Sequence, residues 1–225
     1  MRVSVIIPAL NEAPGIAQTL SQVRQAGECE LIVVDGGSSD ETVDIARAQA
    51  DVVLTADRGR ARQMNAGARA ASRDALLFLH ADTVLPVGFA ASVGEALHDP
   101  TVVGGRFDVH LDAEGWPFRM IETLMNARSR WTKICTGDQA LFVRREAFLL
   151  LEGFPELELM EDIEFSRRLK RAGRIACLRE RVRTSARRWQ RDGVLRTIAL
   201  MWTLRLAYFC GVSPRRLKAW YAETR

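Results

Sequence analysis

Short apolar runs alternate with segments of helical composition through the first part of the chain, and this alternation most restricts the fold. Strands are predicted at residues 3–8, 30–35, 52–55 and 75–80, and helices at 13–26, 40–50 and 59–72. Each strand is a run of Val, Ile and Leu with little polar alternation, which is typical of strands buried on both faces of a parallel sheet. Strands that alternate with helices predict an α/β protein with right-handed crossovers.

The pattern loosens in the second part of the chain. Further strands are predicted at 104–110, which alternates as a half-exposed strand does, and at 139–143, and further helices at 116–131 and 161–171. Gly173 follows the last of these as a helix-ending residue. There is no internal repeat or low-complexity linker, so the chain is not expected to divide into independent domains.

Composition narrows the functional classes. The 225 residues are 48% hydrophobic and carry a net charge of +4, which is too small to imply nucleic acid as a partner. The four cysteines show no CxxC spacing, which argues against a zinc site or a disulfide framework and for a reducing compartment. With neither a signal-peptide pattern nor an apolar stretch of transmembrane length, a cytoplasmic location is predicted.

The fourth apolar run ends abruptly in His80, Ala81 and Asp82. A parallel strand would deliver this acid to the carboxyl edge of the sheet, where such sheets bind ligands. A lone Asp there could hold a divalent metal that bridges to a diphosphate. Alternatively, Asp82 or Thr83 could cap the helix that follows Pro86.

Three other polar groups follow strands or open helices. They lie at residues 8–12, 35–40 and 58–67. Asp35 could accept a hydrogen bond from a ribose or base, and the glycines after it let the backbone approach a ligand. The third group opens a helix with three arginines, which suits an anion at a helix N-terminus. The alternative for the second group is a well-capped strand-to-helix turn. The alternative for the third group is a solvated basic helix face.

Taken in order, four segments resemble the family 2 glycosyltransferases of the GT-A fold. They read VSVIIPALNE, IVVDGGSSDET, GRARQMNAGARAA and LLFLHADT. The resemblance implies a GT-A fold with a Rossmann-like, mostly parallel central sheet over residues 1–190. Within it, residues 1–110 would form the nucleotide-sugar half and 111–190 the acceptor half, with a helical extension at 191–225.

The resemblance also implies a set of donor-binding residues. These are Pro8, Asn11, Glu12, Asp35, Gly37, Ser38, Arg60, Asn65, His80, Ala81, Asp82 and Arg188. Asp82 matches the acid of the DxD motif that holds Mg²⁺ or Mn²⁺, and His80 replaces the first acid. As a ligand, His80 would suit Mn²⁺ better than Mg²⁺; it could equally be an ordinary strand-end histidine. The segment TSARRW resembles a diphosphate-binding segment of processive members, although Ser185 stands where they have Gln.

In the acceptor half, the residues that match the family are Gly137, Asp138 and Gln139, and then Glu161 and Asp162. The family assigns the catalytic base to the position of Asp162. A carboxylate there could take the proton of an acceptor hydroxyl as the new C–O bond forms. The alternative is that these acids only complement a helix N-terminus.

The resemblance therefore implies an inverting, metal-assisted transfer of a sugar from a nucleotide-diphosphate donor to a hydroxyl acceptor. The whole chain also resembles a short bacterial subgroup associated with arsenosugar biosynthesis. A nucleotidyltransferase is one alternative, although it would normally carry a Gly-rich, basic loop after the first strand. A non-catalytic nucleotide-sugar binder or scaffold is another.

Residues 194–210 form a largely apolar segment interrupted by Arg196 and Arg205. It is predicted to be an amphipathic helix, because two arginines make a spanning helix unfavourable. Core packing, a homodimer contact and peripheral binding to the inner face of the cell membrane are all open for it. From Arg179 to Arg225 there are twelve basic residues and three acids, which would favour an anionic surface.

Overall fold

The computed structural model describes residues 1–223, built around one eight-stranded sheet. Its strands are β1 (Val3–Ala9), β2 (Glu30–Asp35), β3 (Val52–Thr55), β4 (Ala75–Phe78), β5 (Thr83–Val84), β6 (Val102–Asp112), β7 (Phe142–Arg144) and β8 (Arg174–Ser185). Its helices are α1 (Ala13–Ala26), α2 (Thr42–Arg47), α3 (Arg60–Ala70), α4 (Phe89–Ala96), α5 (Trp116–Thr132), α6 (Arg145–Leu150), α7 (Glu161–Ala172), α8 (Arg187–Asp192), α9 (Val194–Phe209) and α10 (Pro214–Glu223). The strand order is β3-β2-β1-β4-β7-β6-β8-β5.

The first four strands pair in parallel, as the alternation of strands and helices predicts. Successive residues of β1 enter opposite cores because side chains alternate across a strand. Val5 and Ile7 join the cluster under α1 and α4, whereas Ile6 joins the cluster under α3. Helices on both faces explain why these strands are apolar throughout.

The second half of the chain completes the same sheet. β7 runs antiparallel to both β4 and β6, β6 pairs in parallel with β8, and β5 pairs antiparallel with β8. The sheet is mixed but mostly parallel, and the predicted α/β class is confirmed.

Two predicted strand ends were wrong, because turns take over their last or first residues. The strand predicted at 75–80 ends at Phe78, and the Thr83 amide closes a turn onto the His80 carbonyl oxygen at 3.2 Å. The strand predicted at 139–143 begins later than expected: Gln139 belongs to a 3₁₀ turn, Gly137–Gln139, and β7 starts at Phe142.

The helix after Pro86 starts at Phe89, behind Gly88. Neither Asp82 nor Thr83 caps it, so that alternative was also wrong. Thr83 instead begins β5, where it pairs with β8.

The strand predicted as half-exposed at 104–110 is buried along most of its length. It lies in the interior of the sheet as β6, between β7 and β8. Its polar residues are paired with each other: Arg106 contacts Asp108, and Asp108 also contacts Arg130 of α5. Because the opposite charges of Arg106 and Asp108 are buried as a pair, β6 can alternate polar and apolar residues although it is covered on both faces.

The predicted segment 194–210 corresponds to α9, and one side of it packs on the body of the protein. Leu204 of α9 and Leu217 of α10 form a small cluster with Met160 and Ile163 at the start of α7. Within residues 1–223, no helix is long and apolar enough to cross a membrane. The boundary at residue 190 stays a prediction.

Candidate functional site at the carboxyl edge of the sheet

The loops after β1 and β2 are bound to each other. The Asn11 amide donates to Ser38 Oγ at 2.9 Å, and the Ser39 amide donates to Asn11 Oδ1 at 2.9 Å. The Asp35 carboxylate is buried and accepts the amides of Gly37 and Ser38 at 2.8 and 3.0 Å. The loop's shape therefore depends on Asp35, while Gly37, at φ 90° and exposed, lies on its outer side.

Two side chains of α3 bind backbone groups of other elements, and sequence reasoning missed the role of the first, which lies at the ends of β1 and β2. Gln63 Nε2 donates to the carbonyl oxygens of Ala9 and Val34, both at 2.8 Å. Asn65, predicted at the donor site, instead exchanges two hydrogen bonds with the backbone of Phe154, at 2.8 and 2.9 Å. The sequence shows only that Gln63 lies in the segment GRARQMNAGARAA, and no local pattern there indicates its contact with the two strand ends.

The histidine after β4 meets the 3₁₀ turn of the second half. His80 Nδ1 lies 3.3 Å from Asp138 Oδ1. A Cβ atom at Gly137 would overlap His80 Nε2, so this close approach requires glycine. Burial works against the charge of Asp138, but the hydrogen bond with His80 and the nearby Arg60 and Arg188 lower its pKa.

The acids that open α7 face the same turn. Asp162 Oδ2 accepts the Gly137 amide at 3.0 Å, and Glu161 Oε1 lies 3.7 Å from Arg60 Nη1. Burial, and then the neighbouring Asp162 carboxylate, raise the pKa of Glu161, while Arg60 acts in the opposite direction. These groups and His80 line one small crevice at the carboxyl edge of the sheet.

Asp82 lies at the open side of this edge. Its carboxylate is 38% exposed and lies 3.6 Å from Arg187 Nη2 of α8. Burial, and then the charge of Asp82, raise the pKa of Glu12, which places these two acids in the same electrostatic environment.

Residues 1–223 contain no group of three or more His, Cys, Asp or Glu side chains arranged to hold a metal ion. Asp82 nevertheless offers a partly exposed carboxylate, and Mg²⁺ in nucleotide sites often takes one or two carboxylates and completes its shell with phosphate and water. The residues present therefore fit an ion that arrives with a diphosphate, rather than an ion bound by protein ligands alone.

Arginines from three elements converge on the acids. Besides Arg60, they include Arg188 of α8, whose guanidinium stacks over the Tyr221 ring at 4.0 Å. Sequence reasoning missed the third, Arg128 of α5. Its Nε and Nη2 atoms are buried and have no hydrogen-bond partner within the described part of the chain. Burial lowers the pKa of Arg128, although Asp162 and Asp138 favour its charged form.

Three other residues that were predicted to bind donor or acceptor make contacts within the fold. Gln139 is fully buried and donates to Ser129 Oγ at 3.0 Å. Ala81 is buried, and its carbonyl oxygen accepts from Thr19 Oγ1 at 2.5 Å. Pro8 lies within β1, paired with Val34. The side chains that meet in the crevice are those of Arg60, His80, Glu161 and Asp162.

A mostly parallel sheet with acids, a histidine and arginines gathered at its carboxyl edge defines an α/β protein with a polar ligand site where such sheets bind nucleotides. The chain belongs to Glycosyl transferase family 2, whose family model matches residues 4–149. The match includes β1 to β7 and the 3₁₀ turn, whereas α7 and α8 lie beyond it.

Two curated proteins illustrate the similarity of this chain to known sequences. A "PGL/p-HBAD biosynthesis glycosyltransferase" of Mycobacterium bovis (strain BCG / Pasteur 1173P2) is 38% identical over 112 residues, 44% of this chain and 43% of its own length. A "Dolichol-phosphate mannosyltransferase" of Pyrococcus furiosus is 28% identical over 129 residues, 52% of this chain and 37% of its own length. The chain therefore covers less than half of the length of these curated relatives.

Solved structures share the fold. A crystal structure of S. aureus TarS 1-349 superposes with a TM-score of 0.67 at 21% identity, covering 83% of this chain and 61% of that chain. TarS 1-349 in complex with UDP-GlcNAc superposes with a TM-score of 0.66 at 21% identity, covering 82% and 58%. At this identity the likeness is one of fold.

Proposed function

We propose that this protein transfers a sugar from a nucleotide-diphosphate donor to an acceptor hydroxyl, with inversion at the anomeric carbon. The observation that carries the proposal is the hydrogen bond between Gly137 and Asp162, at 3.0 Å. It holds an acid of α7 beside His80, at the end of the strand that leads to Asp82. The proposed base would thus lie next to the proposed donor-binding edge, as a direct displacement requires.

The donor would lie along the carboxyl edge of the sheet. Asn11, Asp35 and Ser38 shape the loop that would hold the nucleoside. Arg60 and Arg188 lie near Asp138 at this edge, and both would contact the phosphates, because guanidinium groups form strong charge-assisted hydrogen bonds with phosphate oxygens. Asp82 would hold Mn²⁺ or Mg²⁺, which supplies positive charge to the leaving diphosphate.

Asp162 would accept the proton of the acceptor hydroxyl while the oxygen attacks the anomeric carbon and the bond to the diphosphate breaks. Attack from the opposite side in one step inverts the configuration. Glu161 is the alternative base, since burial raises its pKa and perturbed acids are frequent at catalytic sites. Asp138 and Gly137 would lie on the acceptor side of the crevice.

Two kinds of likeness support this proposal. The two relatives are named as glycosyltransferases, and a protein of the same fold was solved in complex with UDP-GlcNAc. The resemblance to the arsenosugar-associated subgroup remains a hypothesis about the biosynthetic setting and does not name the acceptor.

A panel of nucleotide-sugars with Mn²⁺ tests the proposal. We expect one donor to raise the melting temperature, because a ligand that binds the folded state stabilises it. With acceptor present, that donor should release a nucleoside diphosphate and give a product of inverted configuration by NMR. In a parallel assay with a nucleoside triphosphate and a sugar phosphate, release of pyrophosphate would instead indicate a nucleotidyltransferase. Stabilisation by a nucleotide-sugar without turnover across acceptor classes would indicate a binding protein.

A further inference from the structure

α9 has two apolar faces, and only one of them is covered. Its inner face packs into the cluster of Met160, Ile163, Leu204 and Leu217. Along its outer face, apolar side chains recur at intervals of four and three residues, so they form one continuous stripe. The stripe consists of Leu195, Ala199, Trp202, Leu206 and Phe209, and its four large members are 80%, 64%, 66% and 62% exposed.

α5 carries a second stripe of the same kind. Trp116, Met120, Leu124 and Trp131 are 75%, 39%, 58% and 89% exposed and recur at helical spacing. α5 and α9 both contribute side chains to one hydrophobic cluster. That cluster includes Phe118, Ile121 and Met125 of α5 and Val194 and Ile198 of α9. Two helices that share this cluster thus each carry an exposed, tryptophan-bearing apolar stripe, and extended apolar stripes on a protein surface mark interaction sites.

The basic residues near the α9 stripe distinguish between two candidate partners, a second copy of the chain and an anionic lipid surface. α9 contains Arg196 and Arg205 but no acid, and α10 adds the exposed Arg215 and Arg216, whereas Lys218 lies 3.4 Å from Glu158 Oε2. A second copy of the stripe would bring the same cations together, which opposes self-association. A surface of anionic phosphate headgroups would instead attract them, while the apolar side chains enter the interfacial layer.

We propose that the outer stripes of α9 and α5 form a docking face for an anionic lipid bilayer, with both helices lying in the plane of the interface. Trp202, Trp131 and Trp116 would sit at headgroup depth, where tryptophan is favoured. α8 joins α9 through Gly193, and its Arg187 contacts Asp82 at 3.6 Å. Docking would therefore hold the open side of the candidate site close to the membrane surface. This inference goes beyond the proposed reaction.

Flotation of the full chain with lipid vesicles tests the proposal. We expect the protein to float with phosphatidylcholine vesicles that contain phosphatidylglycerol, less so at high salt, and not with phosphatidylcholine alone. The double variant Trp202→Gln/Leu206→Gln should lower the vesicle-bound fraction about tenfold, since binding scales with the apolar area inserted. The variant Leu124→Gln/Trp131→Gln should also weaken it. All four side chains are exposed, so the fold is expected to survive, and circular dichroism checks this.

Leu149→Gln/Leu150→Gln is the matched control, because these leucines of α6 are also exposed, at 46% and 83%. It should float like the wild type. The proposal is overturned if the wild type stays with the soluble fraction, or if the stripe variants float as well as the control. It is also overturned if sizing reveals a dimer that Trp202→Gln dissociates, without any flotation. Because flotation uses neither nucleotide nor sugar, its outcome is independent of the proposed transfer reaction.

Discussion

Single residues of the site depend on partners that are distant in the sequence. The imidazole of His80 reaches Asp138 because Gly137 has no side chain to block it. Asp162, in turn, is held by the amide of that same glycine. A pattern such as LLFLHADT identifies the strand end, but it cannot show that the 3₁₀ turn of the second half closes over it.

We predict that Asp82→Asn removes the metal-dependent part of nucleoside diphosphate binding while the fold is kept. The carboxylate is partly exposed, and its charge, rather than its size, is what a divalent ion requires. Calorimetric titration of a nucleoside diphosphate with and without Mn²⁺ measures this. Asp44→Asn, at an 81% exposed acid, is the control. If Mn²⁺ still strengthens binding to Asp82→Asn, the assignment fails.

We predict that Asp162→Asn lowers the transfer rate by roughly 10²–10⁴-fold, the range for loss of a general base, and leaves donor affinity near the wild-type value. Asparagine keeps an oxygen that can accept from the Gly137 amide, so the turn should survive. Single-turnover kinetics and donor titration separate the two effects. A larger rate loss in Glu161→Gln would move the base to Glu161, and an equal loss of donor binding would make Asp162 part of the donor site.

At the scale of elements, the position of α3 on the sheet depends on close approach. A Cβ atom at Gly67 would lie 2.5 Å from Ile6 Cγ2 of β1 and 3.0 Å from Val34 Cγ2 of β2. This proximity brings Gln63 of the same helix onto the ends of both strands. The small residue is therefore a packing requirement within the segment GRARQMNAGARAA.

We expect Gly67→Ala to lower the free energy of unfolding by about 1–3 kcal/mol, the usual cost of overpacking a core. Gly15→Ala is the matched control, since Gly15 lies in α1 with nothing within 4 Å of the added carbon. That substitution should raise stability by about 0.4–1 kcal/mol through the unfolded chain. Urea denaturation of both variants measures the difference, and equal effects would contradict this account of α3 packing.

The sequence alone could not decide whether α9 packs on the core, on a second copy or on a membrane. A helix that is apolar on two sides gives the same composition whether it packs on a core, a membrane or a second copy. The structure divides these sides: Leu204 is buried in the cluster with α7 and α10, while Trp202 and Leu206 are exposed. Core packing is therefore correct for one face, and the other face is the one for which a partner is proposed.

At the scale of the whole molecule, β7 joins the two halves of the chain. It comes from the second part of the chain and lies antiparallel between β4 and β6, so both parts of the chain share one sheet and one core. Two cysteine thiols lie in or against the two cores of the sheet: Cys135 is buried and Cys29 is partly buried. Burial raises the pKa of Cys135 to about 12 and that of Cys29 to about 11.

We predict that these two thiols make the fold less stable in alkali. Once the pH exceeds about 9, the unfolded chain releases thiol protons that the folded chain retains, so the free energy of unfolding falls as pH rises, by up to about 1.4 kcal/mol per pH unit for each thiol. Denaturant unfolding between neutral and alkaline pH measures the slope. Cys135→Ala should flatten it, whereas Cys210→Ala, at an exposed position, should not. An unchanged slope in Cys135→Ala would contradict the prediction.

The sequence by itself determined the parallel half of the sheet. The bounds of α1, β2 and β3 match the prediction to the residue, because short apolar runs and helical periodicity are local signals. It also indicated the strand-end acid Asp82 and the pair Glu161 and Asp162, since those residue types stand at element ends.

Only the tertiary structure decided what surrounds those residues. The burial of β6, the strand β8, the pairing of His80 with Asp138 and the convergence of Arg128 on the acids all depend on contacts between distant parts of the chain. Local propensity carries no record of such contacts, because burial and ion pairing are set by which elements become neighbours when the sheet closes. The same reason explains Asn65 and Gln139, whose amides are used by the fold itself.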